Sequence, residues 1–539
     1  MILGNRKFVG VFILGCVIAA LALVFSVVAP DKTVRYAAAP RESVPAAPAP
    51  PPREPLLQTA IAAFKPSDLR ADLEKMYAES DYRPFWTSDR AGRKRLAAVD
   101  TIAASLSEQG LNPSFLTTAK AALANARTDA ERETAELGMS AAVLRAAKGQ
   151  RFGFISAGAL GWNLAPDQGE VAAYLGEAIS RHGLADYFES LKPRHPQFAA
   201  LTEGLAKYRD IAAAGGWASI PADKEIKFGE ADPRLPALRA RLAAEGYISA
   251  DAGDDVLPDA VKAFQARNGL NADGRAGRGT LAALNVPVEA RIGQITANLE
   301  RWRHMRHEEP DAYVIANAAD QTVAVVRNGR EELRLRTVVG ARKHATPILE
   351  AKMTGVTLNP PWEIPTSIIT NEIIPKLEED PYYLEDSNME VVSGNWDNPK
   401  SLRVRQRPGT GNALGFMKFQ MQNQWNIYLH DTPSRSLFAK DDRTFSHGCV
   451  RVQHPEELAA LLTGKSIDEL NEGIASGETR TIPLQKALPV FVLYWTAFTD
   501  RDGEFNFRRD AYDRDKETLS KLAEAGLYPP SRPVAEVGN

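Results

Sequence analysis

With 539 residues, 44% of them hydrophobic and 25% charged, the chain has the balance of ordinary globular protein and room for roughly two to four domains. Sixty-five Lys and Arg against 68 Asp and Glu leave a formal net charge of −3, and with no basic block the composition excludes a nucleic-acid partner. Of the two cysteines, Cys16 lies in an apolar run and Cys449 in a polar stretch, so no disulfide is expected and the cysteines carry no test of redox compartment.

Residues 8–29 form a run of 22 without a charge, enough to cross a hydrocarbon core of about 30 Å as a helix rising about 1.5 Å per residue. The run predicts a transmembrane helix, with residues 1–7 as a cytoplasmic tail because Arg6 and Lys7 precede it. A cleaved signal peptide is the rival reading, although its apolar region usually spans only about 7 to 15 residues. Ile13-Leu14-Gly15-Cys16 has the outline of a lipoprotein acylation site, but the apolar stretch continues beyond Cys16. Residues 30–55, rich in Pro and Ala, read as a semi-rigid spacer.

From 56 to 228 the apolar period is helical: Leu69, Leu73, Met76 and Tyr77 recur at three and four residues, as do Leu96, Val99, Ile102 and Leu106. Tyr82-Arg83-Pro84-Phe85-Trp86 interrupts this all-α segment and reads as an aromatic corner packed in its core. Residues 229–288 form a small three-helix unit, with a glycine-marked turn after the Phe264-Gln265 helix and Thr280 placed to cap the third. Its order of Phe264-Gln265, Gly269-Leu270, Asp273-Gly274, Gly277 and Thr280-Leu281 resembles the helical peptidoglycan-binding domain, which implies a wall-binding role.

Beyond Tyr313 the period becomes two. Thr322 to Arg327 and Glu332 to Arg336 flank Asn328-Gly329, the signal for a tight hairpin. Further strands are predicted over 352–358, 426–429 and 490–498, and a helix over 455–462 that Gly464 ends. Residues 289–499 therefore read as a mostly-β domain, followed by an extension over 500–539. The stretch 365–412 is too long for a connection and reads as an insertion of the kind that covers sites.

Within this domain, Ser446-His447-Gly448-Cys449-Val450-Arg451 gathers a thiol, an imidazole, a glycine and a guanidinium, with His430 nineteen residues before Cys449. Nearby positive charge favours the reactive thiolate, and glycine lets the backbone approach a substrate so that adjacent amides can face an oxyanion. The pattern predicts acyl transfer with Cys449 as nucleophile. Either histidine can serve as base: His447 would share a strand face with Cys449, whereas His430 would approach from a neighbouring strand. One Cys and two His without ligand spacing make a zinc site the weaker alternative, and neither metal nor cofactor is expected.

Ser446-His447-Gly448-Cys449-Val450-Arg451-Val452, preceded by Leu429-His430-Asp431-Thr432, resembles the active-site signature of L,D-transpeptidases. Val338-Val339-Gly340, Thr346-Pro347 and Asn359-Pro360-Pro361-Trp362-Glu363-Ile364-Pro365 are similar to segments upstream in that family, and Tyr494 to Ala497, Asp502-Gly503 and Phe507 to Asp510 resemble its large membrane-anchored subgroup. The resemblance implies that Cys449 forms a thioester with the third residue of a tetrapeptide stem, releasing D-Ala, and that a diamino-acid side-chain amine resolves it into a 3-3 cross-link. It makes His430 the general base, gives His447 and Gly448 to the oxyanion pocket, lets Arg451 organise the site or hold a substrate carboxylate, and leaves Arg443 an assisting place.

The fold expected is multidomain α+β: a transmembrane helix, an all-α scaffold domain, a three-helix peptidoglycan-binding domain and a mostly-β catalytic domain whose 365–412 insertion caps the cleft. Expected partners are peptidoglycan stems as donor and acceptor, the membrane through the N-terminal helix, and cell-wall synthesis enzymes, with the chain single-pass in an inner membrane and its catalytic domain in the periplasm. A hydrolase or protein-to-peptidoglycan ligase of the same architecture, and an inert wall-binding scaffold, are the other readings.

Overall fold

The computed structural model describes residues 56–529, apart from 66, 79, 165–168, 182, 306–309 and 501. Among the described residues no helix is long and apolar enough to cross a membrane. The longest, Asp129–Phe152, has the length but carries Arg132, Glu133, Arg145 and Lys148, each costly in hydrocarbon. The expected transmembrane helix and the single-pass inner-membrane, periplasmic placement that rests on it are thereby corrected: no described element supports them. The segments to which the tail, span and spacer were assigned, 1–7, 8–29 and 30–55, lie outside the described residues.

The helical region packs as its periodicity requires. Leu73, Met76 and Tyr77 meet Val99, Ile102 and Leu106 in one core. Asp129–Phe152 starts at a capping box in which Thr128 and Glu131 exchange side-chain and backbone hydrogen bonds. The aromatic corner is part of this core: Phe85 stacks on Tyr77 at 4.4 Å between ring centroids, and Trp86 Nε1 donates to Ser140 Oγ at 2.8 Å. Buried Glu136 holds the corner, accepting from the Tyr77 hydroxyl at 2.8 Å and from the amides of Phe85 and Trp86 at 2.5 and 3.1 Å.

In the three-helix unit, Leu235–Glu245, Leu257–Arg267 and Arg278–Leu284 close over Leu238, Leu242, Val261, Phe264 and Leu281. Thr280 does not cap the third helix, which starts two residues earlier after Gly277. Its hydroxyl instead accepts from buried Gln265 Nε2 at 3.0 Å, while Gln265 Oε1 accepts from the Gly274 amide at 2.8 Å. The Gln265, Gly274 and Thr280 positions are thus tied together by one side-chain amide. The following helix, Val288–Arg303, is buried over most of its length, and two of its buried arginines are paired: Arg301 lies 2.5 Å from Asp515 and Arg303 lies 2.9 Å from Glu300.

The β domain is built from β1 (Trp162–Asn163), β2 (Ala312–Asn317), β3 (Thr322–Arg327), β4 (Arg330–Gly340), β5 (Ile348–Leu358), β6 (Trp362–Glu363), β7 (Met389–Asn395), β8 (Asn398–Gln406), β9 (Met417–Gln422), β10 (Leu429–His430), β11 (Thr444–Ser446), β12 (Val450–Val452) and β13 (Arg480–Leu493). Pairing runs β5, β13, β2, β3, β4, β12, β10, β9 and returns to β5, so the sheet closes on itself and has no open edge along that path. Inward Val314, Val325, Val356, Phe419, Leu429, Val450 and Val492 fill its core. The hairpin between β3 and β4 turns through Asn328 and Gly329 at φ 49° and 70°, the two left-handed positions of a type I′ turn. The helix Pro455–Thr463 ends at left-handed Gly464. The insertion folds as a separate layer, with sheet order β6, β8, β7 over its own core of Ile364, Ile369, Ile373, Leu402 and Val404.

Glu136→Ala should leave the buried amides of Phe85 and Trp86 without their acceptor and destabilise the protein by about 3 kcal/mol, measured as a fall in the urea midpoint at unchanged slope.

Candidate active site

The segment that carries Cys449 is a bend between two short strands. Thr444–Ser446 pairs with β4, the chain turns through Gly448 at φ 113°, and Val450–Val452 pairs with both β4 and β10. A Cβ at residue 448 would combine that unfavourable φ with a 3.2 Å approach to Ile427 Cδ1, so glycine is required there. Buried Thr346 sets the bend: its hydroxyl donates to the Gly448 carbonyl at 2.9 Å and accepts from the Gly340 amide at 2.9 Å. Ser446 closes it from the other side, donating to the Cys449 carbonyl at 2.6 Å and accepting from the Gly448 amide at 3.1 Å. Behind them, the Tyr512 hydroxyl donates to the Gly340 carbonyl at 2.6 Å and Arg514 Nη2 to the Thr346 carbonyl at 2.9 Å.

Strand alternation then distributes the chemistry. β10 and β12 run parallel with Leu429 opposite Val450 and His430 opposite Arg451. Leu429, Val450 and Val452 enter the barrel core, which puts His430 and Arg451 on the other face. Half-buried Cys449 precedes this register, and its thiol donates to the Asn426 carbonyl at 3.7 Å. Burial raises the Cys449 pKa, opposed by the Tyr428 backbone and hydroxyl and by the positive charges of Lys418 and Arg451. Lys418 Nζ sits 4.1 Å above the Tyr428 ring. The resting sulfur is therefore a thiol awaiting a base.

His430 is 4% exposed, and its pKa is lowered to about 3 by burial first and then by Arg451. Its Nδ1 lies 2.5 Å from the Asp431 carbonyl oxygen. A carbonyl can only accept, so Nδ1 carries the proton and Nε2 keeps the lone pair. Arg451 Nε is buried and has no partner among the described residues. Arg443 spends its guanidinium on backbone, donating to the carbonyls of Thr337 at 3.0 Å, Lys440 at 3.0 Å and Gln321 at 3.1 Å. It braces the loop.

His447 leaves the strand pattern because the chain bends at Gly448. Its Nε2 lies 2.6 Å from Oε1 of Glu372, a residue of the insertion, with both side chains 40% exposed, and its ring lies 4.8 Å from that of His344. The structure thus brings Cys449, His430 and Arg451 to two paired strands and turns the His447 side chain toward the insertion. Among the described residues no hydrogen bond joins either histidine to Sγ. Thr346, Lys418, Tyr428 and Glu372 were not singled out as site residues in the sequence. Lys418 was findable, since Met417, Phe419 and Met421 alternate with polar residues around it.

Residues 311–483 match the family model of the L,D-transpeptidase catalytic domain, YkuD, and the chain carries an L,D-transpeptidase catalytic domain. Residues 71–205 match a "Scaffold domain" and 232–284 a "Putative peptidoglycan binding domain". Among individual proteins, a Haemophilus influenzae protein named "Putative L,D-transpeptidase" is 34% identical over 248 residues, 42% of this chain and 50% of that one. The chain therefore spans about half the length of the curated relative it matches. A solved L,D-transpeptidase from Stackebrandtia nassauensis shares 17% identity over 51% of this chain and 97% of its own at a TM-score of 0.23. One from Xylanimonas cellulosilytica shares 18% over 50% and 98% at 0.18. At such TM-scores neither likeness carries weight.

Thr346→Val, nearly isosteric, should orphan the Gly340 amide and the Gly448 carbonyl and cost about 2 kcal/mol, read by urea unfolding, with slower alkylation of Cys449 by iodoacetamide. The second expectation concerns acid. An unfolded histidine takes a proton near pH 6.5 whereas native His430 resists until about 3, so stability is lost as pH falls through that window. Between pH 7 and 5 the wild type should lose about 2 kcal/mol more than His430→Gln, measured by denaturant titration at both values.

Proposed function

We propose that this protein is a cysteine-dependent L,D-transpeptidase acting on peptidoglycan stems, with Cys449 as nucleophile. The observation that supports it most is the strand register that sets His430, with its proton on Nδ1 and Nε2 free to accept, opposite Arg451, two residues after the Cys449 thiol that burial keeps protonated. Nε2 takes the thiol proton as sulfur attacks the carbonyl of the third stem residue. The carbonyl electrons move to oxygen, return to expel the terminal D-Ala, and leave a thioester on Sγ. The proton on His430 passes to the departing amine. Because the resting imidazole is so poor a proton acceptor, proton transfer runs together with attack instead of preceding it.

Backbone around His447 and Gly448 shapes the pocket for the developing oxyanion, although the Gly448 amide already has Ser446 Oγ as a partner at 3.1 Å. Arg451, opposite His430 in the strand pair, organises the site or holds a substrate carboxylate, and the insertion 365–412 covers the cleft. The diamino-acid side-chain amine of a second stem then attacks the thioester, giving a 3-3 cross-link. The thioester retains the free energy of the peptide bond it replaced, so no cofactor is required. The three-helix unit keeps the enzyme on the polymer, as the peptidoglycan-binding match suggests.

Given disaccharide tetrapeptide, the protein should release D-Ala and form dimers joined between third residues, resolved by mass spectrometry, and Cys449→Ala should abolish both. Tripeptide monomers without dimers would mean hydrolysis instead of transfer.

A further inference from the structure

Glu372, His447 and His344 meet from three separate parts of the chain. Glu372 belongs to Ile369–Ile373, a wide five-residue π-helical turn set between Thr366–Ile368 and Ile374–Glu379 in the insertion. Such turns are rare and concentrate at functional sites. Ile369 and Ile373, on either side of Glu372, are buried in the insertion's own core, which anchors the turn while the carboxylate reaches out. His447 is the second residue before the nucleophile. His344, whose ring faces His447, comes from the segment after β4, beside Lys343. The groups facing the His447 ring are therefore the Glu372 carboxylate from the insertion, and the His344 imidazole with the Lys343 ammonium nearby.

Transfer to an amine poses a requirement that acylation does not. At neutral pH an alkyl amine arrives as an ammonium, with a pKa near about 10.4, and it must lose a proton before nitrogen can attack. His430 lies in β10 opposite Arg451, 4% exposed and hard to protonate. His447 stands at the solvent side of the bend, and Glu372 engages its Nε2. With Nε2–H donated to the carboxylate, Nδ1 is the nitrogen left to accept, and the carboxylate stabilises the imidazolium that results, as in an Asp–His pair.

We propose that Glu372 is the positioning residue for the second half-reaction: it orients His447 so that Nδ1 takes the proton of the acceptor ammonium. This rests on the transpeptidase reading above and assigns a base to its second step. In the step, His447 takes one proton from the ammonium and the nitrogen lone pair attacks the thioester carbon. The C–N bond forms, the C–S bond breaks with its electron pair leaving on Sγ, the second amine proton passes to that thiolate, and His447 releases its proton to solvent.

The test uses the full chain with disaccharide tetrapeptide and reads the ratio of dimer to tripeptide, with acylation of Cys449 by a carbapenem followed separately as a mass increase. In Glu372→Gln the ratio should fall about tenfold or more while Cys449 still acylates, and raising the pH toward the amine's own pKa should restore dimer formation, because a neutral amine needs no base. Glu372→Asp, which keeps the charge, should retain more transfer than Glu372→Gln. An unchanged ratio in Glu372→Gln, a ratio that stays low at high pH, or acylation and transfer falling in equal proportion overturns the proposal. Failure of the wild type to acylate at Cys449 would instead overturn the transpeptidase reading itself.

Discussion

One buried hydroxyl holds the reactive centre in place. Thr346 is fully enclosed and bridges the Gly340 amide at the end of β4 to the Gly448 carbonyl at the bend before Cys449. Both partners would be orphaned without it, and a buried backbone group left unpaired costs about as much as the bond itself. The conformation at Gly448 is available only to glycine, so the bend is fixed by its own backbone and by the hydroxyls of Thr346 and Ser446 on either side. Its consequence is a division of labour: residues after the bend follow strand alternation, whereas His447 before it escapes alternation and meets the insertion.

The electrostatic design follows from how this bend sits on a closed barrel. Because the ring of strands has an apolar interior, the face that carries His430 and Arg451 is defined by exclusion: Leu429 and Val450 point inward, so their neighbours point away. Burial then acts in opposite directions on the two partners, raising the thiol and lowering the imidazole. Both effects favour neutral species. The resting centre stores no ion pair, and Lys418 and Arg451 supply the positive field that a thiolate would need once it forms.

How much of this was legible in the sequence divides along physical lines. The thiol, both histidines and the hairpin at Asn328-Gly329 stood out because residue type and immediate neighbours carry the information: only two side chains offer a thiol, and Asn-Gly between two alternating runs suits a type I′ turn. The switch from helical to alternating periodicity marked the change of architecture near Tyr313 for the same reason. Contacts between distant segments were hidden. Nothing local to Thr346, Tyr512 or Glu372 signals that they meet residues 340, 448 and 447, since those meetings are set by closure of the barrel and folding of the insertion. The shared face predicted for His447 and Cys449 failed because periodicity reasoning assumes regular backbone and Gly448 breaks it. The apolar run at 8–29 invited a membrane reading from hydropathy alone, and no described helix bears it out.

Tyr512 and Arg514 lie far downstream of Cys449 in the chain, yet they brace the Gly340 and Thr346 carbonyls behind the nucleophile bend. A polypeptide emerging from the ribosome exposes its sulfur well before the residues that steady it have been made. A product that stopped between Cys449 and Tyr512 would hold the thiol and its bend without these two hydrogen bonds behind them.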